Sequence, residues 1–101
     1  MIATTAYEMT VQVWRSDEPG DRYFVTLPDD VAEDVRAKCG GSHQAIGSLP
    51  VSVALGQSIW STSLYADAGS SSYVLPIRPD VRRRERVRDG QTVTMRLALK
   101  R

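Results

Sequence analysis

From Tyr7 to Val13 the chain alternates: Tyr7, Met9, Val11 and Val13 fall on one face, and Glu8, Thr10 and Gln12 on the other. A period of two is the signature of a half-buried β-strand. The stretch SDEPGD follows, with Pro19 and Gly20 as turn formers, and RYFVTL then returns as a second strand, so the two predict a hairpin. Pro28 stops central pairing, and DDVAEDVRAKCGG has helical spacing, with Val31 and Val35 on one face. Its expected start is an Asp30/Glu33 capping box, with Asp29 or Asp30 as cap, and its expected stop is Gly40. A loop over about residues 40–50 precedes VSVAL, a tight reversal at Gly56-Gln57, and SIWSTSLY. That strand sets Ile59, Ser61, Ser63 and Tyr65 on one side and Trp60, Thr62 and Leu64 on the other. After the loop ADAGSSS come the strand YVLPI, a short helix in RPDVRRRER with Pro79 in its first turn, and the turn RDGQ. A closing strand, TVTMRLAL, brings Val93, Met95, Leu97 and Leu99 into phase.

Two segments fifty positions apart nearly repeat: YFVTLPDDV at residues 23–31 and YVLPIRPDV at residues 73–81. Tyr23/Tyr73, Val25/Leu75, Leu27/Ile77, Asp30/Asp80 and Val31/Val81 match in type, and the same offset lays MTVQVW over IWSTSL. Each half, about 7–50 and 51–101, then reads strand, strand, helix, strand, as expected for two interlocked copies of one unit within a single domain spanning 1–101. Neither half alone is long enough to bury its helix and sheet face.

The segments YFVTLPDDV, VSVALGQSIWSTSLY, YVLPIRPDVR and VRDGQTVTMRL together resemble the bacterial domain-of-unknown-function family 1905. The matching signals are Trp60 with Thr62, Ser63 and Leu64, the pairs Leu27-Pro28 and Leu75-Pro76, and Gly90 before the last strand. The resemblance covers about Tyr7 to Leu99; where the family usually carries an acid after the glycine, this chain has Gln91. It implies a mainly β fold with two short helices: a double-split β-barrel capped by those helices, akin to AbrB/MazE-like proteins. Those relatives close one barrel from two chains of about half this length, so this chain is expected to close its barrel as a monomer, leaving no free sheet edge.

The length of 101 residues, with 42% hydrophobic and 25% charged content, fits one soluble globular domain and excludes a disordered chain. No run approaches the roughly 20 apolar residues of a membrane span. The opening MIATTAYEM lacks a basic start and apolar run, and Cys39 is the single cysteine, so a cytoplasmic protein without disulfides is expected. Net charge is +1, but residues 1–50 carry four bases against eight acids and residues 51–101 nine bases against four acids. Such polarity can steer a charged partner or support weak self-association.

The arginine cluster Arg78, Arg82, Arg83, Arg84 and Arg86, continued by Arg88, is the candidate nucleic-acid or anion contact, since guanidinium forks match phosphates. Arginines on a short helix also form ordinary solvated faces, and the first helix is acidic where a symmetric DNA binder would repeat the cluster. Trp60, Thr62 and Ser63 are the candidate ligand-binding residues, an aromatic beside hydroxyls that could line a groove for a small ligand or protein partner. Cys39 and His43 suggest a thiolate pair, but a helix C-terminus opposes an anion, so a core thiol and a loop histidine are expected there. With two candidate soft ligands no closed metal site is expected, and no catalytic triad or phosphate loop is present in the sequence. The expectation is a binding module without a cofactor, not an enzyme, with nucleic acid as the alternative partner.

Overall fold

The computed structural model describes residues 6–17, 19–20, 22–39, 48–67 and 72–100. The alternating segments form six strands: β1 (Ala6–Arg15), β2 (Tyr23–Thr26), β3 (Ser48–Leu55), β4 (Ser58–Ala66), β5 (Tyr73–Ile77) and β6 (Thr92–Leu99). Helix α1 (Asp29–Cys39) follows β2, and α2 (Pro79–Arg84) follows β5. Every strand pairing is antiparallel, and the ring closes in the order β1-β2-β5-β4-β3-β6. The expected β-barrel with two short helices is therefore observed, and one chain closes it. No described helix is long and apolar enough to cross a membrane.

Strand direction places the helices. Going round the ring, β1, β5 and β3 run one way and β2, β4 and β6 the other, so β2 ends and β3 begins at the same mouth. These two strands lie opposite each other, and α1 must span the mouth between them, burying Val31, Ala32 and Val35. By the same logic α2 spans the other mouth between β5 and β6, burying Val81, with Val87 beyond its end. Between the two plugs, Val13, Val25, Leu64, Leu75, Val51 and Leu97 fill the interior with at most 0% exposure each.

Three expected features are corrected. Helix α1 begins before its supposed capping box: the Ala32 amide donates to Pro28 O at 2.9 Å, which makes Pro28 the cap and puts Asp29 and Asp30 inside the first turn. There they act through charge at the positive end of the helix dipole. The overlay of MTVQVW on IWSTSL fails by one residue, because Met9 is buried and Ile59 is 76% exposed. A slip of one residue turns a strand's faces inside out; Trp60 and Leu64 go inward, so the offset in this strand is odd. Strand β3 also starts at Ser48, inside the expected loop, because Leu49 extends its buried set. The expected stop at Gly40 lies outside the described residues.

The hairpin between β3 and β4 is the two-residue turn anticipated at Gly56-Gln57, with Leu55 opposite Ser58 and Gly56 at φ +59°. At β5 a proline has a larger effect. The Leu27 amide donates to Tyr73 O at 3.0 Å, so in the β2·β5 ladder the odd-numbered residues of β5 face β2 and the amides of Val74 and Pro76 face β4. Pro76 has no N–H to give, and the β4·β5 ladder stops at Tyr65 with Val74. Beyond that point the two strands part.

Candidate functional site

The arginine-rich mouth is held together by short-range partners. Arg78 caps α2 without a side-chain cap bond, and its Nε lies 3.2 Å from Asp80 Oδ1, while Arg84 Nη2 approaches Asp80 Oδ2 at 3.8 Å. Arg84 also donates to Ser58 Oγ at 3.0 Å, and Ser58 donates to Glu85 Oε2 at 2.7 Å. Glu85 accepts the Gln57 amide at 3.3 Å as well, so one carboxylate ties α2 to the β3–β4 hairpin. Arg82 lays its guanidinium 4.3 Å from the Tyr23 ring centroid. Arg83 and Arg86 are exposed, and Arg86 ends the helix with a left-handed φ of 55°. Thus three of the five predicted arginines, Arg78, Arg82 and Arg84, have partners within the chain.

The predicted groove residues are separated. Trp60 is 5% exposed and packs in the core, with its indole N–H unpartnered. Thr62 and Ser63 point to opposite sides of β4, as adjacent strand residues must. Thr62, the inward one of the pair, borders a recess of about 210 Å³ where β4 and β5 part. Arg22, Tyr23, Pro76, Ile77 and Arg78 line the same recess. Arg22 was not among the residues singled out from sequence, since nothing in the β1–β2 turn signals that β5 will carry Arg78 to it.

On the outer face next to this gap, Trp14 and Phe24 stack with ring centroids 4.9 Å apart and planes 26° apart. Arg22 lies 5.4 Å from the Phe24 centroid, and Trp14 Nε1 donates to Thr26 Oγ1 at 3.0 Å. Trp14 remains 37% exposed.

The opposite mouth has the reverse charge. Helix α1 carries four acids against two bases, whereas residues 78–89 carry six arginines against three acids. Tyr7 donates its hydroxyl to Asp34 Oδ2 at 2.5 Å, and Lys38 Nζ lies 3.3 Å from the same carboxylate oxygen. The Tyr7 hydrogen bond, ahead of Lys38, holds the Asp34 carboxyl below its usual range. A depressed folded-state value stabilises the fold above the unfolded carboxylate value of about 3.9 and loses that contribution as pH falls through the folded value. Tyr7→Phe is therefore expected to raise the Asp34 midpoint in a carboxyl NMR titration. It should cost stability at pH 7 but not near pH 2, and an equal loss at both pH values would refute the linkage.

Among the described residues no cluster of three or more His, Cys, Asp or Glu could hold a metal ion. His43 and the side chain of Cys39 lie outside the described residues, so the thiolate pair is not placed.

The family model described as Domain of unknown function (DUF1905) matches residues 10–97. The chain belongs to this family. The match takes in β2 to β5, both helices, Thr10–Arg15 of β1 and Thr92–Leu97 of β6, so both helices and the recess of this DUF1905 chain fall within it. No curated protein matches the chain.

Proposed function

We propose that this DUF1905 chain is a cytoplasmic binding module and not an enzyme, taking a small ligand or protein partner at the gap between β4 and β5. The recess bordered by Thr62, Arg22 and Arg78 carries this reading, because it combines an apolar floor with a few convergent polar groups. The serine hydroxyl that donates to a carboxylate, that of Ser58, is 2% exposed and engaged with both Glu85 and Arg84, which favours a structural over a catalytic role. A metabolite panel in a thermal-shift assay tests the proposal: a ligand at about one hundred times its Kd adds roughly 2.7 kcal/mol of stability. Thr62→Val is expected to diminish the shift of any hit. A panel without a single stabilising compound or peptide would count against the reading.

We read the barrel more finely as double-split and built from two tandem strand–strand–helix–strand repeats, kin to the AbrB/MazE-like fold. Exchanging β1, β2 and β3 for β4, β5 and β6 leaves every neighbour relation in the ring unchanged. Val25 pairs with its own repeat mate Leu75. The first helical bonds also correspond, Ala32 to Pro28 and Arg82 to Arg78, both fifty residues apart. Each hairpin ladder stops early, after Val13 with Val25 and after Tyr65 with Val74, which supports a split on both sides. Helix-to-strand ties recur too: Asp34 meets Tyr7, and Arg84 meets Ser58. The repeats would thus share a frame while their helices carry opposite charge.

Nucleic-acid binding through Arg78, Arg82, Arg83, Arg84 and Arg86 is the second reading, favoured by the exposure of Arg83 and Arg86. Three of the five already have intramolecular partners. Duplex DNA titrated at low and physiological salt is expected to show no binding that survives at physiological ionic strength. A log–log salt slope of about −0.9 per phosphate contacted, with retained affinity, would reverse that expectation. We read the chain as a monomer, and weak head-to-tail association of the acidic and basic mouths would disappear in light scattering as salt rises.

A further inference from the structure

We propose that the recess between β4 and β5 is an oxyanion subsite for a small aromatic acid. A carboxylate or phosphate is held between Arg22 and Arg78, and the ring lies on the outer-face stack of Phe24 and Trp14. This deepens the binding-module reading and rests on it.

Charge sets the first half of the inference. Among the described residues two arginines line the recess and no acidic side chain does. Guanidinium forks match the planar or tetrahedral oxygens of carboxylates and phosphates, and a hydroxyl from Thr62 or Tyr23 can donate to a third oxygen. Arg78 spends part of its charge on Asp80, but the pair is exposed, and Asp80 keeps Arg84 as a partner when Arg78 turns toward a ligand. Exposed pairs of this kind are weakly held.

Shape and register set the second half. A volume of about 210 Å³ is roughly that of seven waters at about 30 Å³ each, enough for an acid group and the near edge of a ring. Pro76, on the recess wall, sits directly opposite Phe24, and Phe24 directly opposite Trp14. Neighbouring strands lie about 4.8 Å apart, so an apolar track runs from the recess across two strands. Arg22 stands over Phe24 at 5.4 Å while lining the recess, which joins the cationic and aromatic parts of the site. An acid without a flat apolar body would leave the track unused, and a neutral aromatic would offer the two guanidinium groups no oxyanion.

The test uses the full chain with phenyl phosphate, benzoate, inorganic phosphate and neutral benzyl alcohol, followed by calorimetry and tryptophan fluorescence. Trp60 is buried, so the change in emission is expected from Trp14 and to vanish in Trp14→Phe. Phenyl phosphate or benzoate should bind at least tenfold more tightly than benzyl alcohol, and the stronger of the two identifies the acid group. Inorganic phosphate should release heat without altering Trp14 emission. Arg22→Gln and Arg78→Gln, both at exposed positions, should each weaken the aromatic acid at least tenfold with an unchanged melting midpoint. Equal binding of benzyl alcohol, or wild-type affinity in both arginine variants, would overturn the oxyanion subsite while leaving the binding module standing. Silence from all four probes overturns it too, and the metabolite panel then decides the broader reading independently.

Discussion

Leu75→Ala is expected to cost about 3–4 kcal/mol and to lower the melting midpoint by roughly 12–30 °C. Leu75 is 0% exposed and lies opposite Val25, itself fully buried, and Leu64, also 0% exposed, belongs to the same core cluster. All three side chains meet in the middle of the barrel, between the two helical plugs. A ring closed by hydrogen bonds on every strand cannot contract locally to fill a void, so the cavity term is felt nearly in full. With a total stability of about 5–15 kcal/mol for a domain of this size, such a loss removes a large fraction of it. Leu75→Met, which keeps the volume, should cost less than about 1.5 kcal/mol. Chemical denaturation of the two variants side by side checks the argument, and a cost below about 1 kcal/mol for alanine would show that the interior relaxes.

Gly56→Ala is the second large effect, at about 2–3 kcal/mol. At φ +59° a non-glycine residue pays roughly 1–2 kcal/mol for the left-handed conformation. A Cβ built there would stand 2.0 Å from Glu85 Oε1 and 2.7 Å from Glu85 Cδ. The carboxylate is the flexible end of its side chain and can move. Moving it weakens the bonds from Ser58 and the Gln57 amide, which together add about 1 kcal/mol because the displaced carboxylate regains water. In Glu85→Ala the steric part is already gone, so Gly56→Ala should cost measurably less in that background. A double-mutant cycle by denaturant melts measures the difference, and strict additivity would mean that Glu85 does not lock the hairpin.

What the sequence revealed, and what it hid, follows from the range of each interaction. Alternation at Tyr7–Val13 and Val93–Leu99 exposed β1 and β6, because a strand with one wet face writes its period into the chain. The echo of residues 23–31 in residues 73–81 pointed to two helices entered in the same way, and the barrel closes with Val25 on Leu75. Alternation gives only relative sides, however. Ile59 and Trp60 fit either face, and the choice fell to Trp60 and Leu64 because the larger apolar surface gains more from the interior. The capping box of α1 failed for a similar reason: Pro28 sets the entry to the helix, and Asp30 comes too late to cap it. The recess was out of reach. Its cause, the missing amide of Pro76, is plain in YVLPI, but which strand that amide would have faced depends on a pairing between segments half the chain apart. Arg22 and Arg78 meet there only after the ring has closed.

Ala6, at the start of β1, is directly opposite Ala98, near the end of β6. The start of the ring's first strand and the end of its last are therefore side by side at the mouth covered by α1. A short peptide bridging them would permit a circular permutant reopened at the Gly56-Gln57 turn, with the same hydrogen-bonded ring. The same adjacency suits the barrel for insertion, whole, into a surface loop of a host protein, whose chain could leave and rejoin its own fold almost without a gap.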